Sequence, residues 1–391
     1  MFKKKTIRDI DVSEKKVLVR VDFNVPISDG TVSDDTRIKA ALPTINYLME
    51  KNSKVILCSH LGRPGGTYTG KYSLEPLVPI LSELLGKPVG FANDCIGADT
   101  ENLVNSMSLG DVLLLENTRF HAGETKNDPE LSELLASLAD VFVNDAFGSS
   151  HRAHSSTEGV ARILPSVAGF LVEKEILFMG SAIDSPERPL VAILGGAKVS
   201  DKIGVIKNLL SKADHILIGG GMANTFYKSL GYPVGDSLVE DSVLESAREF
   251  LKIGSAKIRL PVDVKIANKF EENAEWKLIP SGPIPDGWRI LDIGPETVSS
   301  YEKVIQRAKT VVWNGPMGVF EFPEFSKGTF GIANAIAHSH ALSIVGGGES
   351  AAAIQQSGLS KKITHISTGG GASLEMLEGI NLPGVSVLMD M

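Results

Sequence analysis

Short apolar runs, mostly Val, Ile and Leu, recur along the chain, separated by longer segments with helical spacing. The first half carries them at 16–21, 54–58, 88–91, 111–115, 140–143 and 167–170. The second half carries them at 190–194, 215–218, 257–260, 310–313, 342–345 and 363–367. Continuous apolar strands alternating with helices predict parallel sheets covered on both faces. Two sets of about six such units predict an α/β protein of two doubly wound, Rossmann-like domains of similar size, joined by a hinge. The predicted boundary is Ser185-Pro186-Glu187-Arg188-Pro189, where two prolines end a helical stretch that begins near Leu171. It divides the chain into 1–185 and 186–371. Pro280, Gly282, Pro283, Pro285 and Gly287 form a second breaker cluster, read as a loop inside the second domain because strands continue on either side.

Length and composition are consistent with this picture. A chain of 391 residues with 43% hydrophobic and 22% charged residues can bury two substantial cores. The net charge of -8 argues against a nucleic acid or an anionic membrane as partner. The basic start, Lys3-Lys4-Lys5, has no apolar stretch after it, so no secretory signal peptide is expected. No apolar run approaches the length that spans a bilayer. Cys58 and Cys95 have neither zinc spacing nor a disulfide framework, which predicts a reducing, cytoplasmic address.

In open α/β sheets the ligand sits beyond the carboxyl ends of the strands. The first half places charge there. Asp22-Phe23-Asn24 follows the first run, His60-Leu61-Gly62-Arg63 the second, Glu116-Asn117-Thr118-Arg119 the fourth, and Asn144-Asp145 the fifth, leading to His151-Arg152-Ala153-His154. Arg37 opens the next helix. Four arginines, two or three histidines and an Asp/Asn pair are therefore expected on one face. Guanidinium groups bind phosphate and carboxylate bidentately, so the cluster implies a small, multiply charged anion. Any single arginine of the four is more often a solvated loop residue or a salt-bridge partner than a ligand-binding group; four at successive strand ends are not. Arg20, inside a strand, reads as structural. His151 and His154 lack a third ligand at metal spacing.

The second half places glycine at its strand ends: Gly195-Gly196-Ala197-Lys198, Gly219-Gly220-Gly221, Asn314-Gly315-Pro316, Gly346-Gly347-Gly348-Glu349-Ser350 and Gly369-Gly370-Gly371. Glycine lets backbone approach a ligand closely, and the helix N-termini beyond offer free N–H groups to phosphate, so a nucleotide site is expected. Lys198 and Lys202 are spaced to share one helical face as phosphate-binding charges. Gly65-Gly66-Thr67-Tyr68-Thr69-Gly70-Lys71-Tyr72 nearly matches a P-loop but ends in Tyr, and reads as a surface loop. No G-x-G-x-x-G follows a strand, which disfavours a dinucleotide-dependent oxidoreductase.

Taken in order, these strings resemble the phosphoglycerate kinase family from end to end. They run from Arg20-Val21-Asp22-Phe23-Asn24-Val25-Pro26 through Gly195-Gly196-Ala197-Lys198-Val199-Ser200-Asp201-Lys202 to Gly346-Gly347-Gly348-Glu349-Ser350. The resemblance implies reversible transfer between 1,3-bisphosphoglycerate and ADP, giving 3-phosphoglycerate and ATP, with Mg2+ on the nucleotide. It implies that Asp22, Phe23, Asn24 and Arg37 hold the glycerate, while His60, Leu61, Gly62, Arg63, Arg119 and Arg152 surround its phosphate. It further implies that Lys202 touches the nucleotide phosphates, Glu321 the ribose, and Gly347, Gly348, Glu349 and Ser350 the phosphate chain. Arg37 and Lys198 are the implied catalytic groups. The family pattern also implies a monomer whose segment 372–391 packs back on the first domain, and reactants that meet in a closed interdomain cleft. Glu349 stands where most relatives carry Asp at the metal, and Ser155 where Ala is usual. Another acyl-phosphate kinase of the same architecture is the alternative enzyme. A nucleotide-binding protein without turnover would lack Arg37 or Lys198.

Overall fold

The computed structural model describes residues 3–28 and 31–391. It divides the chain into two compact domains, one of Met1–Leu177 with Asn381–Met391 and one of Phe178–Ile380.

The first domain is built on a six-stranded parallel sheet in the spatial order Val89–Ala92, Val112–Leu115, Lys54–Cys58, Lys16–Arg20, Val141–Asn144, Ser166–Ala168. Successive strand residues point to opposite faces. Val17, Val19, Val55 and Leu57 therefore join Ile38, Ala41, Ile45 and Leu48 of the helix Thr36–Glu50 in one core layer. Leu18, Ile56, Leu113 and Phe142 join Leu131 and Leu135 in the other. Burial on both faces explains why these strands read as unbroken apolar runs. The chain leaves Lys16–Arg20 toward one side of the sheet and later returns on the other. The loop carrying Asp22 thus opens at a topological switch point.

The second domain repeats the plan in the order Ile258–Arg259, His215–Ile218, Leu190–Leu194, Thr310–Asn314, Leu342–Gly346, His365–Ile366, again all parallel. It also holds an antiparallel sheet that the apolar pattern did not suggest. Asp263–Ala267 lies between Trp276–Pro280 and Arg289–Ile293. Trp276–Pro280 is an exposed edge strand with no apolar run to announce it. Pro280 ends that strand, opposite Asp263, and the rest of the breaker cluster lies in the connection to Arg289.

Two boundaries need correction. The division falls at Leu177/Phe178, within the helix Phe170–Asp184, rather than at the prolines beyond it. The prolines end the helix, but Met179, Ala182 and Ile183 already pack with Leu190 and Ile216 in the second core. At the other end only 381–391 joins the first domain. Leu377, in the helix Gly371–Glu378, is buried in the second core, and its carbonyl accepts from Asn208 Nδ2 at 2.7 Å. The final segment is fixed by Lys5 N donating to Met389 O at 2.8 Å and by the Lys4–Asp390 ion pair at 2.8 Å. Both cysteines are free and buried, and no helix among the described residues is long and apolar enough to cross a membrane.

Candidate active site

At the carboxyl edge of the first sheet, hydrogen bonds between side chains and backbone tie the loops together. Asn24 Oδ1 accepts from Gly62 N at 3.0 Å, and Gly62 O accepts from Arg119 Nη1 at 2.6 Å. Gly62 has φ +60°, and a Cβ there would stand 2.3 Å from the Tyr72 ring, so the position demands glycine. Arg37 turns back from the first turn of its helix, with Nη1 3.3 Å from Asp22 Oδ1 and 3.1 Å from Asn24 O.

Arg63, Arg119 and Arg152 line one cavity of about 590 Å³, with His121 and Lys126 at its wall. Among the described residues none of the three guanidinium groups forms a salt bridge with a carboxylate. Arg119 is buried and its Nε has no partner. Burial first, then Arg152 and Arg20, pull its pKa down to about 10. Positive charge held in a cavity without a carboxylate in direct contact suits an anion. His60 lies behind it, buried, with Nδ1 3.1 Å from Arg20 Nη2 and 4.0 Å from Asp22 Oδ1.

In the second domain the glycine-rich turns stack on each other. Gly195 N donates to Asn314 O at 2.9 Å, Gly196 N to Pro316 O at 2.8 Å and Gly220 N to Met317 O at 2.9 Å. A Cβ on Gly195 would meet Pro316 O at 2.1 Å, and one on Gly315 would meet Gly195 O at 2.3 Å. These glycines are required by backbone meeting backbone, and only part of the glycine signal belongs to a ligand. Gly348 is the part that stays open: it begins the helix Gly348–Gln356, and no atom lies within 4 Å of where its Cβ would stand.

Beside these turns is a cavity of about 430 Å³ whose wall includes Gly196, Gly221, Leu238, Leu291, Glu321 and Glu349. Lys202 is buried near Gly196, and burial lowers its pKa against the opposing pull of Asp201 and Glu349. A mostly apolar cavity with a lysine and an open helix N-terminus at its edge suits a nucleoside carrying phosphates.

A family model for phosphoglycerate kinase matches residues 7–380. The chain belongs to the phosphoglycerate kinase family. It is 54% identical to the phosphoglycerate kinase of Pelotomaculum thermopropionicum over 99% of both chains. It is 55% identical to that of Herpetosiphon aurantiacus, again over 99% of both. The solved phosphoglycerate kinase of Coxiella burnetii matches with a TM-score of 0.90 at 40% identity, covering 98% of each chain. With this family come kinase activity, ATP binding and a place in glycolysis, and the family works on magnesium nucleotides.

Seen against phosphoglycerate kinase, the expected residues fall into distinct groups. Asp22, Asn24, Arg37, His60, Gly62, Arg63, Arg119 and Arg152 gather at one sheet edge. The side chains of Phe23 and Leu61 lie in the core instead. Asn144 and Asp145 are buried structural groups: Asn144 Nδ2 donates to Gly384 O at 2.7 Å, and Asp145 Oδ1 accepts from Leu171 N at 2.8 Å. Ser350 is buried and its hydroxyl accepts from Gly315 N at 2.7 Å.

The shared helical face expected for Lys198 and Lys202 does not form. Gly196, at φ +91°, turns the chain and the α-helix begins only at Ile203, leaving Lys198 exposed and Lys202 buried. Gly65 and Gly66, assigned to a surface loop, line the anion cavity. Lys126 and His121 were also missed, since nothing local marks them. Cys95, without zinc spacing, nonetheless lies with Asp94 and His121. All three have partners already: His121 Nε2 is 2.6 Å from Asp94 Oδ1, and Cys95 Sγ donates to Glu116 O.

Proposed function

We propose that the first domain binds 3-phosphoglycerate or 1,3-bisphosphoglycerate, with Arg63, Arg119 and Arg152 on the 3-phosphate. Asp22, Asn24 and Arg37 hold the hydroxyl and carboxyl end, and His60 adds a hydrogen bond. The observation that supports this best is the three guanidinium groups lining one cavity without a carboxylate partner among the described residues. In the second domain the nucleoside occupies the cavity lined by Leu238 and Leu291, with its ribose near Glu321. Its phosphates run toward Lys202 and the first turn of the helix Gly348–Gln356.

In the direction of ATP use, a carboxylate oxygen of 3-phosphoglycerate attacks the γ-phosphorus. The bond from that phosphorus to the bridging oxygen breaks, and ADP leaves with the electron pair. No proton has to move, so a strong base is not needed, and the residues work by positioning and by charge. Arg37 and Lys198 stabilise the phosphoryl group in flight, where negative charge spreads over three oxygens.

Glu349 suits Mg2+: a hard cation takes carboxylate and phosphate oxygens, and this carboxylate is exposed at the cavity wall. The ion, when bound with the nucleotide, screens phosphate charge. Glu349 would orient it directly or through water. The reading includes a monomer in a reducing cytoplasm, which two free, buried cysteines suit.

A coupled assay with 3-phosphoglycerate, ATP and magnesium tests the reading. Turnover with 3-phosphoglycerate but not with other small carboxylic acids is expected; a preference for another acid would replace the substrate while keeping the chemistry.

A further inference from the structure

Arg20 stands inside a strand, is 1% exposed, and touches neither cavity wall described above. Its guanidinium nonetheless reaches the site through His60. Nε donates to Ser156 Oγ at 2.8 Å, Nη1 to the carbonyl of Val21, and Nη2 lies 3.1 Å from His60 Nδ1. A guanidinium has five donors and no acceptor. The contact at Nδ1 can therefore be a hydrogen bond only if Nδ1 offers its lone pair. The single ring hydrogen is then on Nε2, for which no other group of the described residues competes.

We propose that Arg20 is a positioning residue that holds His60 as its neutral Nε2–H tautomer, ready to donate to the substrate anion. This rests on the reading of the charged cavity as the phosphoglycerate site. The groups facing His60 agree. Arg20, Arg37 and Arg119, with His154, oppose a positive charge on the ring, and Asp22, 4.0 Å away, is the carboxylate in ion-pair range among the described residues. Burial, followed by these cations, keeps the His60 pKa well below 6.5. A protonated ring would also have to turn an N–H toward Arg20.

Arg20 itself is held from behind. The Ser156 hydroxyl that accepts from Arg20 donates onward to Glu124 Oε1 at 2.6 Å. Glu124 is fully buried and also accepts from Ser156 N at 3.0 Å and Thr118 Oγ1 at 3.2 Å. The arginine charge is thus balanced one hydroxyl away through Nε, while Nη2 meets the ring. The device makes His60 a donor whose state does not change across neutral pH.

Long-range proton–nitrogen correlation spectra of the full-length wild-type protein, labelled with 15N-histidine, test this directly. The His60 signals are assigned by comparison with His60→Gln. A neutral Nε2–H pattern unchanged from pH 5.5 to 8 is expected. An Nδ1–H tautomer, or an imidazolium that titrates near 6.5, would overturn the proposal. Adding 3-phosphoglycerate should shift the Nε2 signal; an Nε2–H tautomer that ignores the ligand would overturn the donor role and the cavity assignment, while leaving the Arg20 contact intact. Kinetically, Arg20→Leu should raise the KM for 3-phosphoglycerate roughly 10-fold or more, the worth of a charge-assisted hydrogen bond, with little change in kcat. Its KM should also begin to vary toward the acid end of the range, because one of the cations that oppose a charge on the ring is gone while burial still disfavours it. Arg20→Lys, which keeps a donor and the charge, should restore a flat profile. Equal losses in both variants, without pH dependence, would contradict positioning. Should either variant misfold, the wild-type spectrum still decides.

Discussion

Arg37 Nη1 lies 3.3 Å from Asp22 Oδ1, and among the described residues Arg37 alone of the four strand-end arginines forms an ion pair. The contact is long and the guanidinium is about one-third exposed, so it orients Arg37 without using up its five donors. Arg37 is tethered at one corner and open elsewhere. On the proposed reading the remaining three arginines serve binding and Arg37 serves catalysis.

Arg37→Ala and Lys198→Ala should therefore lower kcat far more than they raise either KM. A cation acting on a transferring phosphoryl group is worth roughly 10³–10⁵ in rate. Arg37→Lys should remain poor, because a point charge cannot replace the planar fork facing Asp22 and the phosphoryl oxygens. Saturating steady-state assays check this. Near-normal kcat in both alanine variants would assign the stabilising charge elsewhere.

Glu349 is exposed at the start of its helix, beside the cavity and within electrostatic reach of Lys202. Its carboxylate reaches about 1.5 Å farther than an aspartate would. A magnesium titration of activity at fixed ADP should place Glu349→Asp close to wild type. Glu349→Gln should require much more magnesium and turn over slowly. If Gln follows wild type throughout, the carboxylate serves only the helix N-terminus, worth about 0.3–1 kcal/mol.

Asp145 gives the first domain a pH dependence that acts through stability. Its Oδ1 accepts from Leu171 N at the start of the helix Phe170–Asp184, while Oδ2 has no partner. Burial raises its pKa from 3.8 to about 7. The native state thus keeps a proton that the unfolded state has released between these values. The associated stability is fully present below the unfolded pKa and is lost as pH rises through about 7. Asp145→Asn removes the titration. Urea unfolding of both proteins should show the variant gaining roughly 2–3 kcal/mol on wild type between pH 5 and 8. A difference constant with pH would mean that Asp145 is ionised throughout.

Much of this was legible in the chain because parallel strands buried on both faces leave unbroken apolar runs. Lys54–Cys58 and Leu190–Leu194 stand where the runs stood, and charged or glycine-rich residues just beyond them, Arg63 and Gly196 among them, line the two cavities. What stayed hidden depends on contacts between distant segments. Trp276–Pro280 pairs with Asp263–Ala267 while all its residues but Ile279 are exposed, so no periodic pattern marks it. Asn144 resembled a site residue until Gly384, 240 positions away, claimed its amide. Gly195 and Gly315 looked like ligand contacts, although each is small because the other's backbone is there. The role of Arg20 depends on His60 and Ser156, which come from two other parts of the chain.

The central claim is that the two substrates bind to different constellations, one of arginines in the first domain and one around Lys202 in the second. Calorimetric titration of 3-phosphoglycerate and of magnesium ADP, separately, into four variants tests it most directly. Arg119→Ala should cost on the order of 2–5 kcal/mol in 3-phosphoglycerate binding, since its guanidinium is buried. Arg152→Ala should follow it, and the exposed Arg63 should cost less, about 1 kcal/mol. All three should bind magnesium ADP as wild type does. Lys202→Ala should show the reverse, weak for the nucleotide and normal for 3-phosphoglycerate. Unchanged 3-phosphoglycerate affinity in the three arginine variants, or equal loss of both ligands in all four, would contradict the account.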